Sequence, residues 1–279
     1  MAVVGGGLMG SGIAEVVAVA GLPVVVNDVD PPSLERARAR IETSLSRAVE
    51  RRKLESSQAQ AALERIDLTN DLGCVREVDL VIEAVPEDEK LKLAVMRSIA
   101  SAVADEAIIA SNTSSIPIAE LAQAVPAPDR MLGLHFFSPV PVMGLVEVVV
   151  ALDTSDDTVG VAKAFVERIG KSPIQTKDRS GFIVNFLLIG YVNAAIRMYE
   201  EGFASREDID DGMRLGAGHP MGPLTMADMV GLDIVYSVGN SMYEEFKREE
   251  YAPPPLLKRM IAAGWLGRKS GRGFYEYDN

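Results

Sequence analysis

Met1-Ala2-Val3-Val4-Gly5-Gly6-Gly7-Leu8-Met9-Gly10 opens the chain, and an Ala/Val-rich stretch follows it to Gly21. The pattern reads as a strand, a tight turn and a helix, the local form that holds a pyrophosphate. Gly5 allows the tight exit from the strand, Gly7 lets the backbone approach the phosphates without a Cβ, and Gly10 lets the helix pack closely on the sheet. Leu8 and Met9 open the helix, whose N–H groups and positive dipole end face the ligand. A glycine-rich turn alone is a weak signal, so its context decides. A second apolar run, Pro23-Val24-Val25-Val26-Asn27, ends in Asp28, where a βαβ unit places the carboxylate for the adenosine ribose hydroxyls. Asp28 also repels a 2′-phosphate, and Val29-Asp30 bring no arginine to accept one. NAD is therefore expected in preference to NADP.

The 279 residues, 48% of them hydrophobic, suit two domains or one large one with a substantial core. Glycine, proline or charge interrupts every apolar stretch well short of the roughly 20 residues a membrane helix needs, so no span is expected. With the first strand at Met1, no cleavable presequence is expected, and from the abrupt start a native N-terminus a few residues longer is expected. Cys74 is the only cysteine, which excludes an intramolecular disulfide and a cysteine-cluster metal site; no metal is expected. It agrees with a reducing cytoplasm, the expected location. A net charge of −12 argues against nucleic-acid binding, which needs a basic surface, but leaves room for a small anion on a local patch.

Pro31-Pro32-Ser33 signals a helix start, and the charged stretch from Leu34 to about Arg65 reads as a helix or helical hairpin, an insertion over about 33–65. Short apolar runs then alternate with helical ones: Asp79 to Val85, Lys90 to Ala104, Ala107 to Ser111 and Ile118 to Ala124. Strands at Met131 to Phe137 and Leu145 to Val150 flank a turn with Pro139 and Pro141. A helix from Thr158 to Ile169 and a strand from Ser172 to Thr176 complete a first domain, 1–178. This alternation predicts an α/β fold: a Rossmann-type, mostly parallel sheet with helices on both faces. From 179 to 279 the periodicity is helical, over Ile183 to Glu201, Arg206 to Leu215, Leu232 to Arg248 and Leu256 to Ala263. The second domain is expected to be smaller and all-helical, with part of its apolar surface covered in a homodimer.

Oxidising an alcohol with NAD requires a base, and histidine is the usual choice near neutral pH. Of the two histidines, His135 ends a strand at the carboxyl edge, where open α/β sheets place their ligands. His219 lies in Gly216-Ala217-Gly218-His219-Pro220, a turn that ends one helix and starts another. Glu147 is the expected partner of His135: the two are equidistant from Pro141 and fall side by side if the strands turn back there. Glu147 is also the lone charge in an apolar run, and a buried carboxylate needs a partner. Ser111-Asn112-Thr113-Ser114-Ser115 follows a strand at the same edge, where helix capping explains only one or two of its polar groups. Glu83 and Glu87 close the preceding strand, and spacing does not rank them.

These residues match a known family. The chain resembles the L-3-hydroxyacyl-CoA dehydrogenases nearly end to end, and in length it is similar to the bacterial 3-hydroxybutyryl-CoA branch. The motifs are Gly5 to Gly10, Ala110 to Ser115, Leu134-His135-Phe136-Phe137 with Pro139-Val140-Pro141, Gly181-Phe182-Ile183-Val184-Asn185, and Gly218-His219-Pro220-Met221-Gly222-Pro223. The resemblance implies that His135 takes the 3-hydroxyl proton while hydride passes from C3 to NAD. It implies that Glu147 orients His135, and that Ser114 and Asn185 hold the substrate oxygen. It places Glu87, Lys92, Ser114 and Lys269 at the NAD, with Asn112 supporting their loop, and Ser44 and Arg51 at the CoA portion of an acyl-CoA substrate. Arg47, Arg51, Arg52 and Lys53 then give an acidic protein a local anion site; without the family, a solvated helix face is the simpler reading. One departure is Ser138, where the family commonly has Asn beside the nicotinamide amide. Two alternatives remain open from sequence. One is a related dehydrogenase for a sugar acid or a longer or dicarboxylic acyl-CoA; the other is a non-catalytic NAD-binding relative.

Overall fold

The computed structural model describes residues 1–277. The chain divides into two compact units, Met1–Asp178 and Arg179–Asn279. The first begins with β1 (Ala2–Val4), α1 (Leu8–Val19) and β2 (Val24–Asn27). The charged stretch is a helical hairpin, α2 (Pro31–Glu50) and α3 (Ser56–Leu63). Two prolines sit at the start of α2, and its buried Leu34, Ala37, Ile41 and Leu45 recur at helical spacing. A reciprocal capping box between Glu55 and Gln58 starts α3. Then follow β3 (Ile66–Thr69), β4 (Leu80–Glu83), α4 (Glu89–Ala100), β5 (Ile108–Ser111), α5 (Ile118–Ala122), β6 (Met131–Phe136), β7 (Leu145–Val150), α6 (Asp156–Arg168) and β8 (Ser172–Lys177).

The eight strands form one sheet in the order β3-β2-β1-β4-β5-β6-β7-β8. Every neighbouring pair is parallel except β6 and β7. The interior strands β1, β4, β5 and β6 are buried along their whole length, as a sheet covered on both faces requires. Strand order reverses direction between β1 and β4, so the ligand crevice of such a fold lies at their carboxyl ends. The edge strand β3 is the one strand the sequence pattern did not mark.

The second unit is helical: α7 (Val184–Glu200), α8 (Arg206–Asp211), α9 (Pro223–Val230), α10 (Leu232–Phe246) and α11 (Pro255–Ala262). The helix expected to reach Leu215 ends its α-helical part at Asp211 and continues as a π-turn over Gly212–Gly216. This unit has its own core, including Ile196, Leu224, Leu232, Met242 and Leu257. Asp228 is fully buried and accepts bonds from Phe274 N, Tyr275 N and Tyr277 Oη, tying the C-terminal segment to α9. No described helix is long and apolar enough to cross a membrane.

Candidate active site

At the crevice, Gly5 has φ +111° and a Cβ there would stand 2.6 Å from the Ala84 carbonyl oxygen. A Cβ on Gly10 would meet the Gly5 carbonyl oxygen at 1.8 Å, whereas one on Gly7 would enter open space. The turn thus needs glycine at 5 and 10 for its own packing, and keeps an open approach at 7. No side chain caps the N-terminus of α1, so its first-turn N–H groups suit a pyrophosphate. The donor set fits a dinucleotide. Asp28 stands at the end of β2, where Oδ2 accepts from Gly6 N at 2.8 Å and Oδ1 from Asp30 N at 3.0 Å. Arg40, which sequence reasoning passed over, reaches from α2 to donate to the Gly6 carbonyl at 2.6 Å.

The register of β6 and β7 sets His135 directly opposite Glu147. Their side chains point the same way, and His135 Nδ1 lies 2.7 Å from Glu147 Oε2. Glu147 is fully buried and His135 nearly so. A carboxylate only accepts, so Nδ1 carries the proton and Nε2 is the basic nitrogen. The ring also packs against Phe137, centroid to centroid 4.5 Å.

Beyond β5, Asn112 Oδ1 accepts from Phe136 N at 2.9 Å, tying the polar turn to the strand that carries His135. Glu87 collects that turn: its Oε1 accepts from Thr113 Oγ1 at 2.6 Å and from Ser114 N at 2.9 Å. Burial alone would raise the Glu87 carboxyl. The Lys92 ammonium and the bonds from Thr113, Ser114 and Ser115 outweigh burial and hold it below the usual carboxylate range. Lys92 stands behind this turn. It is 1% exposed, and its Nζ donates to Glu83 Oε1 at 2.7 Å and to the Val85 carbonyl at 3.2 Å, and stands 3.3 Å from Glu87 Oε2. An ammonium has three N–H groups, and two of them are committed to hydrogen bonds inside the protein.

A cleft of about 940 Å³ runs along α1 and α2. Arg40, Arg47, Arg51 and Lys53 line it, together with Arg168 and Lys171. Ser44 and Ser138 also line it. The Ser44 hydroxyl donates to Glu15 Oε1 at 2.8 Å. Lys171 Nζ donates to the carbonyls of Val140 and Met143, each at 2.6 Å, and so fixes the turn between β6 and β7. Burial pushes its pKa down. Two other expected residues belong to the second unit. Asn185 is half-buried in the first turn of α7, and Lys269 donates to Asp233 Oδ2 at 2.7 Å.

Two family models cover the chain: the NAD binding domain of 3-hydroxyacyl-CoA dehydrogenase matches residues 1–179, and its C-terminal domain residues 181–277. The chain is 48% identical to a 3-hydroxybutyryl-CoA dehydrogenase of Mycobacterium tuberculosis, over 99% of this chain and 97% of that protein. It is 41% identical to the mitochondrial hydroxyacyl-coenzyme A dehydrogenase of Sus scrofa, over 99% and 90%. The crystal structure of (S)-3-hydroxybutyryl-CoA dehydrogenase from Ralstonia eutropha superposes with a TM-score of 0.95 at 44% identity, covering 100% of this chain and 98% of that one.

Proposed function

The chain belongs to the NAD-dependent 3-hydroxyacyl-CoA dehydrogenase family, and from that premise we propose that His135 and Glu147 are its acid–base pair. The reaction is hydride transfer between NAD and C3 of a (S)-3-hydroxyacyl-CoA and 3-oxoacyl-CoA pair, with a short chain such as 3-hydroxybutyryl-CoA. When bound, NAD supplies the hydride acceptor. His135 Nε2 takes the 3-hydroxyl proton as the alcohol is oxidised and returns it in reduction. Glu147 holds the ring through Nδ1, fixes its tautomer and stabilises the imidazolium. Ser114 and Asn185 hold the substrate oxygen. Gly5 to Gly10 and Asp28 hold the dinucleotide, with Lys92, Asn112 and Lys269 assigned to its support, Glu87 reaching it only through the Thr113–Ser115 turn that it binds, and Ser138 assigned to the nicotinamide amide. Ser44 and Arg51 take the CoA portion in the basic cleft. The observation that carries the reading is the 2.7 Å His135–Glu147 contact across facing strands at the carboxyl edge.

Purified protein is expected to reduce acetoacetyl-CoA with NADH and to leave L-gulonate with NAD unturned; activity on L-gulonate alone would overturn the substrate class. Replacing His135 with Ala should lower kcat by about 10²- to 10⁴-fold and keep NADH affinity. Equal loss of both would make His135 structural. The protein is further read as a cytoplasmic homodimer. Leu187, Phe203 and Leu215 of the helical unit are each more than two-thirds exposed, apolar side chains that a second copy would cover. Sedimentation velocity should give twice the chain mass, and a monomer at all concentrations would sink the dimer.

A further inference from the structure

The same reaction needs Ser114 held in one place, yet Ser114 sits in a turn rather than in a strand or helix. What holds that turn is a single carboxylate oxygen. Glu87 Oε1 is within hydrogen-bond reach of five donors: Thr113 Oγ1 at 2.6 Å, Ser114 N at 2.9 Å, Ser115 Oγ at 3.1 Å, Ser115 N at 3.2 Å and Ser114 Oγ at 3.3 Å. We propose that Glu87 is a positioning residue, which fixes the Thr113–Ser115 turn through its backbone and presents the Ser114 hydroxyl to the substrate oxygen, with Lys92 and Glu83 bracing it from the core.

The distances divide the labour. Ser114's backbone N–H is tied well within the ordinary range for such a bond, whereas its hydroxyl is at the long limit. A carboxylate oxygen has room for two or three good donors, so the longest of the five is the one most cheaply given up. The hydroxyl is therefore free to exchange Glu87 for a substrate oxygen while the backbone stays in place. The brace behind Glu87 is dry: Glu83 is fully buried and Lys92 1% exposed. Glu83 Oε2 accepts from Ser111 Oγ at 2.6 Å, and Ser111 Oγ in turn accepts from Thr113 N at 3.2 Å. The turn is thus held from two directions, by Glu87 at its outer side and by Ser111 at its root. Through Asn112 it is also bonded to Phe136, the residue after His135. Charge-assisted bonds in such a network are worth more than neutral ones, and the loss of one end should be felt at the other.

The proposal rests on Ser114 meeting the substrate oxygen, and its test separates the two. We would measure kcat and KM for acetoacetyl-CoA and NADH in Glu87→Ala, Glu87→Gln, Ser114→Ala and the Glu87→Ala/Ser114→Ala double variant. Amide hydrogen exchange at residues 113–115 would be followed in parallel. By the scale of a lost donor to a reacting oxygen, Glu87→Ala and Ser114→Ala should each lower kcat by about 10²- to 10³-fold, with KM for NADH within about threefold. The double variant should be no more than about threefold worse than the poorer single variant, because both remove one interaction. Glu87→Gln keeps the shape and one acceptor oxygen and should recover part of the loss. Additive effects, or a raised KM for NADH with kcat intact, would overturn the proposal and make Glu87 a cofactor ligand. If the wild type turns over no acyl-CoA, the functional reading falls by itself. Exchange then decides the positioning: faster exchange at Ser114 and Ser115 in Glu87→Ala supports it, and unchanged protection overturns it.

Discussion

Single residues in this protein carry charge where the fold is driest. Glu15 on α1 is 5% exposed, and burial pushes its carboxyl up to about 7, with the bond from Ser44 only partly opposing the rise. An acid whose pKa is higher folded than unfolded holds its proton more tightly in the folded state. Its support for the fold is complete below about 4.5 and is lost as pH rises through about 7. Glu15→Gln should therefore match the wild type at pH 5 and exceed it at pH 8. The gain, after discounting for solvent screening, is on the order of 1 kcal/mol, or about 2–4 °C in midpoint. Thermal unfolding followed at both pH values checks this; an equal shift at both would show that packing, not ionisation, is at work. Glu147 and Lys92 differ from Glu15 because each has an oppositely charged or ionisable partner within 2.7 Å, the condition under which a buried charge is tolerated.

Among the elements, the β1–α1 turn has the least freedom. Ala at Gly10 would set its Cβ 1.8 Å from a backbone oxygen, which no rotamer change relieves. Gly10→Ala is expected to cost ~1–3 kcal/mol or more and to weaken NADH binding by at least about tenfold, read by fluorescence titration. Unchanged affinity would remove the turn from the cofactor site. This turn, the hairpin insertion and the alternation of strands were legible in the sequence, because glycine spacing and apolar periodicity are local signals. The edge strand β3 was not: its four residues include Asp67 and Thr69, half its length is polar, and nothing in its composition separates it from a loop. The His135–Glu147 pair could be read because equal distance from a turn predicts facing positions in a hairpin. The Glu83–Lys92–Glu87 brace could not, since it joins β4, the turn after it and α4, and only the folded backbone says which ammonium meets which carboxylate. The same reason hid Arg40 and Lys171, whose shortest bonds go to carbonyl oxygens that carry no signature in the side-chain sequence.

For the whole molecule, a net charge of −12 coexists with a cleft lined by arginine and lysine. An anionic substrate is repelled by most of the surface and attracted at one place, so added salt should raise KM for acetoacetyl-CoA. Arg51→Ala should raise that KM about fivefold, the equivalent of ~1 kcal/mol for an exposed charge pair, and flatten its salt dependence. A KM insensitive to both changes would move the CoA portion elsewhere. The sheet itself shows why its only polarity reversal matters. β6 and β7 are buried on both faces along nearly their whole length, so the usual alternation of apolar and polar residues cannot say which residue should face which. His135 and Glu147 are the only polar side chains in those two strands. A slip of one residue would turn Glu147 to the opposite face and strand a carboxylate among valines, at a cost of several kcal/mol. The pair thus doubles as an alignment mark: in this protein a mispaired hairpin and an intact His135–Glu147 contact are mutually exclusive.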